Sequence, residues 1–230
     1  MTLTGPKPHI RLLRNPDPVG RGPACGDGRN PLREGRQDRP EVFYQRLDAH
    51  EHALEEERPH RTFAEVSALA LEKAMGESGL AFDVADADVL TSSIGRMPPF
   101  PEVVAVLGKL KAAGFHLAIT SNTDDAIIAG NVAQLGGHVD RVITAEQAGA
   151  YKPSRQTSHP AWKTLGIGIE DLVHICASPH LDLAAARDLG FRTVWVDRGT
   201  GRNPRDGYRP NETVSTLDKV PSVLAAAGWM

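Results

Sequence analysis

The chain has 230 residues, 40% of them hydrophobic, and a formal net charge of −3. That suits one globular domain, or a domain with a small insert, and it gives no global positive field for nucleic acid. No apolar run approaches the roughly 20 residues of a membrane helix and no apolar core follows the first basic residue as in a secretory leader, while two cysteines, Cys25 and Cys176, fit a reducing cytoplasm better than a disulfide framework.

Residues 1–40 hold seven Pro, six Gly and seven Arg, and no aromatic residue. Such a segment cannot bury enough apolar surface to offset its ordering entropy, so it is expected to be disordered. Order begins at Glu41. Val42, Phe43, Leu47 and Leu54 recur at helical spacing. Thr62-Phe63-Ala64-Glu65 has the form of a capping box ahead of Val66, Leu69 and Ala70. Residues 41–95 therefore read as a small helical unit.

After Pro98-Pro99 helix and strand alternate. The patterns predict a helix over 102–113, a strand over 115–120, a helix over 124–135 and a strand over 139–144. A helix over 159–165, a strand over 172–176, a helix over 181–189 and a strand over 193–196 follow. Beyond Asp197 a Gly-, Arg- and Pro-rich surface loop leads to a final helix over 220–227. Alternation of this kind predicts an α/β fold, a Rossmann-like parallel sheet with helices on both faces. Such sheets bind ligands at the carboxyl ends of their strands.

Three successive strand ends carry polar residues. Ser121 and Asn122 follow the first, where a helix begins and its amides can meet an anion. Lys152 follows the second, held before Pro153 as a point charge. The third leads to Ser178, Pro179, His180 and Asp182, with Asp182 in the first turn of the next helix. Each alone has an ordinary explanation: Ser121 or Asn122 as a helix cap, Lys152 and His180 as exposed loop residues, Asp182 as a partner of the helix dipole.

Taken in order, these residues resemble the second, third and fourth motifs of the haloacid dehalogenase superfamily over roughly residues 41–200. The segment Phe191-Arg192-Thr193-Val194-Trp195-Val196 is most similar to the 2-haloacid dehalogenase branch. The resemblance implies a helical cap over 41–95 and a Rossmann-like core over 96–230. It implies an Asp nucleophile on the first strand, which forms a covalent ester that water hydrolyses. By the same resemblance Ser121 and Asn122 hold the substrate carboxylate or phosphate. Lys152 offsets the nucleophile's charge, Asp182 orients Lys152 or the water, and Ser178 stands at the other acid position of the fourth motif. Arg46 is the counterpart of a cap arginine that reaches halide or carboxylate. His50 and His52 are two apart and do not face one metal on a helix. A small anionic substrate and a homodimer are further implications.

The first motif is not there. The one hydrophobic stretch before the cap is Ile10-Arg11-Leu12-Leu13, and no Asp follows it in place: Asp17 lies between prolines and Asp27 between glycines. The first strand is thus expected to be missing or aberrant and the sheet split, with Arg11 a costly buried charge at its centre. Read one base forward, codons compatible with residues 10–20 give Phe-Asp-Cys-Tyr-Gly-Thr-Leu-Ile-x-Trp, which resembles the branch's first motif. This suggests a stretch translated out of frame, with the nucleophile belonging where Arg11 stands. Three functions follow as expectations. The first is hydrolysis of a small 2-halocarboxylic acid without a cofactor, which this chain as written lacks the nucleophile to perform. The second is a Mg²⁺-dependent phosphatase, disfavoured because Ser178 replaces a carboxylate. The third is a non-catalytic, anion-binding remnant.

Overall fold

The strands are β1 (His9–Leu12), β2 (His116–Ser121), β3 (Arg141–Thr144), β4 (Leu172–Cys176), β5 (Arg192–Val196) and β6 (Glu212–Val214). In the computed structural model, which describes residues 9–12, 40–152, 168–199, 203–204 and 207–230, they form one sheet ordered β3-β2-β1-β4-β5-β6. Every pairing is parallel. The first strand is therefore present and the sheet is not split: β1 fills the centre, with Arg11 level with Ala118 on one side and His174 on the other. What this strand lacks is an acid, not a place in the sheet. The remainder of residues 1–39, and the predicted helix over 159–165, lie outside the described residues.

The described residues divide into two compact units, 9–12 with 98–230 and 40–97. In the first, α4 (Val103–Ala112) precedes β2, α5 (Asp125–Val132) and the one-turn α6 (Ala145–Ala148) flank β3, and α7 (Pro179–Leu189) joins β4 to β5. The other unit supplies α1 (Pro40–Glu56), α2 (Phe63–Glu77) and α3 (Val84–Arg96), and the chain closes on α8 (Val220–Ala226). Leu117, Ile119, Val173, Ile175, Val194 and Val196 alternate onto one sheet face, where they meet Val106, Leu107 and Leu110 of α4 and Leu224 of α8. Each such fully buried side chain contributes about 1.5–3 kcal/mol of transfer free energy. Gly190, at φ +79°, ends α7 in the left-handed conformation that glycine adopts without a Cβ penalty.

Two differences from the expected elements have local causes. The stretch after Asp197 contains β6, whose three residues are too few to show a period. Its register is held by Asn211, whose Oδ1 accepts from the Thr193 amide at 2.8 Å. His180 lies inside α7, because the helix starts at Pro179, whose fixed φ suits a first helical position.

The three-helix unit begins its second helix as expected. The Thr62 amide donates to Glu65 Oε2 at 2.8 Å and the Glu65 amide donates to Thr62 Oγ1 at 3.3 Å. Asp83 and Asp86 repeat the device ahead of α3. Phe43, Leu47 and Leu54 of α1 and Phe63, Val66 and Ala70 of α2 are buried. Glu51 sits on this helix pair and accepts a hydrogen bond from the buried Ser67 hydroxyl at 3.2 Å. Burial pushes its carboxyl up from 4.5 to about 7; the Ser67 bond opposes this and the Asp48 charge adds to it. An acid whose folded value is raised gives stability that is complete below about pH 4.5 and is lost as pH rises to about 7. Glu51→Gln is accordingly expected to match the parent's unfolding free energy at pH 4.5 and to exceed it at pH 8, by about 3 kcal/mol at most. An equal offset at both pH values would contradict a neutral Glu51.

Candidate functional site

At the carboxyl edge of the sheet, five of the six predicted site residues follow β2, β3 and β4, and all five are buried: Ser121, Asn122, Lys152, Ser178 and Asp182. Ser121 closes β2, and its Oγ lies 2.8 Å from Thr123 Oγ1. Asn122 does something the sequence did not announce. Its Oδ1 accepts from the Lys152 amide at 2.8 Å and its Nδ2 donates to the Lys152 carbonyl at 3.4 Å. The side-chain amide thus fixes the loop after α6 as a strand partner would. Lys152 Nζ then reaches Asp182 Oδ1 at 3.3 Å and the Thr120 carbonyl at 3.5 Å.

Asp182 is held by its helix. Its amide donates to the Ser178 carbonyl at 3.2 Å, and the Leu181 amide donates to the same oxygen at 3.1 Å. Ser178 is the cap position of α7, without a side-chain capping bond. The Lys152 and Asp182 side chains are 3% and 1% exposed. Each charge would cost several kcal/mol there without compensation, and each supplies part of that compensation to the other.

The expected anion cradle at the start of α5 is altered. The Asp125 amide, the first of the helix, donates to Glu146 Oε2 at 2.8 Å. Thr144 Oγ1 donates to Asp125 Oδ1 at 2.7 Å. One carboxylate, Glu146, therefore answers the helix terminus, while Asp125 accepts from the Thr144 hydroxyl and from Gln147 Nε2 at 2.8 Å.

Arg46 belongs to the three-helix unit. Its Nη1 donates to Ser78 Oγ at 2.9 Å, and Glu77 lies 3.7 Å from its Nε. His50 shares Glu77, at 2.9 Å, while His52 lies 2.8 Å from the Asp48 carbonyl, so the two histidines take different partners. The side chain of His180 lies outside the described ones.

Two further residues belong to the cluster. His174 and Cys176 are two apart on β4, hence on one face of the strand, and both are buried. His174 Nε2 is 3.6 Å from the same Asp182 Oδ1 that Lys152 contacts, and its ring packs edge-on against Phe191 with centroids 5.3 Å apart. Burial first, then the Asp182 charge, push the Cys176 thiol well up, against a pull from Lys152, so it stays protonated. In sequence Leu172-Val173-His174-Ile175-Cys176 looks like any buried parallel strand. The available signal was the alternation that turns 174 and 176 to the same side, directly before Ser178 and the first turn of α7.

Comparison with known proteins sets this arrangement in a family. A family model described as haloacid dehalogenase-like hydrolase matches residues 33–190. Haloacetate dehalogenase H-2 of Moraxella sp. (strain B) is 30% identical over 165 residues, 71% of this chain and 73% of that protein. The chain belongs to the haloacid dehalogenase-like hydrolases. (S)-2-haloacid dehalogenase 4A of Burkholderia cepacia is 27% identical over 220 residues, 94% of this chain and 89% of its own. The crystal structure of L-2-haloacid dehalogenase from Xanthobacter autotrophicus superposes with a TM-score of 0.77 at 18% identity, over 96% of this chain and 99% of that one. That likeness shows the same fold. Within the family this chain resembles the (S)-2-haloacid dehalogenases. The family match covers residues 33–190 and so includes none of β1, β5 and β6.

Proposed function

We propose that the chain carries the anion-binding half of a 2-haloacid dehalogenase site without the carboxylate that would attack. The observation that carries this reading is the buried Lys152–Asp182 pair, positioned by Asn122 beside Ser121. The substrate class is a small 2-halocarboxylic acid, in keeping with relatives named haloacetate and (S)-2-haloacid dehalogenases. The three-helix unit is the cap; within it Arg46, to which the resemblance gives the halide or carboxylate, donates to Ser78 and pairs with Glu77. In a complete site an aspartate oxygen displaces halide from C2, leaving an aspartyl ester that water cleaves to the 2-hydroxy acid. Lys152 keeps such an aspartate ionised, and Asp182 holds Lys152. A solved relative bears chloropropionic acid covalently bound, which agrees with an ester intermediate in that protein.

The phosphatase alternative fits less well. Mg²⁺ is a hard cation that takes oxygen ligands, mostly carboxylates. Among the described strand-end residues Asp182 is the one carboxylate within the cluster, and Ser178 occupies the other acid position. No helix among the described residues is long and apolar enough to cross a membrane. A homodimer, of the kind the resemblance implies, remains part of the proposal.

The binding claim is tested by titrating (S)-2-chloropropionate into the chain by calorimetry, with chloride and inorganic phosphate as comparisons. Saturable binding of the haloacid is expected, weakened about tenfold by Ser121→Ala, since a hydrogen bond to a charged group is worth roughly 1.5–3 kcal/mol. Preferential binding of phosphate, or no binding by the folded chain, would overturn it.

A further inference from the structure

We infer that His174, Cys176 and Asp182 form a buried binding site for a thiophilic divalent cation of the Zn²⁺ type. One nitrogen, one sulfur and one carboxylate oxygen from these residues lie within 4.8 Å of one another. The topology makes this set. Strand alternation puts His174 and Cys176 on one face of β4, and α7 returns Asp182 in its first turn. A tetrahedral Zn²⁺, with bonds of about 2.0 Å to N or O and 2.3 Å to S, needs ligand-to-ligand separations of about 3.3–3.7 Å. The 3.6 Å between His174 Nε2 and Asp182 Oδ1 already meets that. The longest separation closes by about 1 Å of side-chain motion. Imidazole with thiolate selects Zn²⁺ over Mg²⁺, which takes oxygen donors.

Binding forms a sulfur–metal bond as the Cys176 thiol releases its proton to solvent. The cation then competes with Lys152, whose ammonium lies 3.3 Å from the same carboxylate oxygen. Occupancy therefore breaks the Lys152–Asp182 pair, and the ion acts as an antagonist of the anion site, not as its cofactor. This site shares Asp182 with the haloacid reading but takes its other two ligands from β4, and cobalt binding and haloacid binding are read separately, so each can fail without the other.

The test is a titration of the purified, metal-free chain with Co²⁺, followed by absorption. Expected are four-coordinate visible bands together with a thiolate-to-cobalt charge-transfer band, saturating at one equivalent and reversed by Zn²⁺. Cys25→Ser keeps the charge-transfer band, Cys176→Ser loses it, and His174→Ala weakens binding at least tenfold. Lys152→Met, which removes the competing cation, tightens binding roughly tenfold. No charge-transfer band in the folded parent overturns the proposal. So does a band that survives Cys176→Ser and disappears in Cys25→Ser. Should Cys176→Ser fail to fold, unchanged or weaker binding by Lys152→Met overturns it instead.

Discussion

Halide release from (S)-2-chloropropionate by the chain as written is expected to stay at the rate seen without protein. Replacing residues 10–19 by Phe-Asp-Cys-Tyr-Gly-Thr-Leu-Ile-x-Trp is expected to raise it at least about a thousandfold, the scale on which loss of a nucleophile acts. The reasoning is chemical. Lys152 and Asp182 can hold and balance a carboxylate, and Ser121 can hold the substrate, yet none of them supplies the oxygen that bonds to C2. The measurement is chloride production by ion chromatography, with the melting temperature of both chains as the folding control. Turnover by the chain as written would remove the idea that its nucleophile is lost. A folded but inactive replacement would remove the idea that the shifted frame holds it.

The register of β1 adds a structural condition to this result. Arg11 stands level with Ala118 and His174, while Ser121 lies three residues farther along β2, about 10 Å at strand rise. An acid placed at position 11 in this register would stand level with His174, whose ring contacts Asp182, and three residues short of Ser121. The genomic sequence across codons 8 to 40 tells whether that acid was ever encoded.

How much of this was legible depends on how each element is stabilised. β4 was readable to the residue because five consecutive buried positions leave no ambiguity between polar neighbours. The Thr62–Glu65 cap was readable because its two hydrogen bonds are local. β1 was not, since Ile10-Arg11-Leu12 carries a charge where a central strand should be apolar, and its place comes from the two strands beside it. The strand-end residues were found through their order along the chain. What each touches was not recoverable that way: the hold of Asn122 on Lys152 spans 30 positions, and Glu146 reaches back to the start of α5 from 21 positions away. His174 and Cys176 were hidden by their own burial, which made them look like core.

Removing one partner of the Lys152–Asp182 pair is expected to destabilise the chain far more than removing both. Lys152→Met takes the ammonium from Asp182 at 1% exposure, and Asp182→Leu takes the carboxylate from Lys152 at 3% exposure. Each single change should cost roughly 3–5 kcal/mol, because an uncompensated charge stays where water cannot reach it. The double variant exchanges the pair for apolar groups of similar volume and should cost less than either single change. Urea unfolding of the three variants reads this directly. If the two single losses simply add in the double variant, the charges are not coupled, and the pair cannot be what positions Lys152 for an anion.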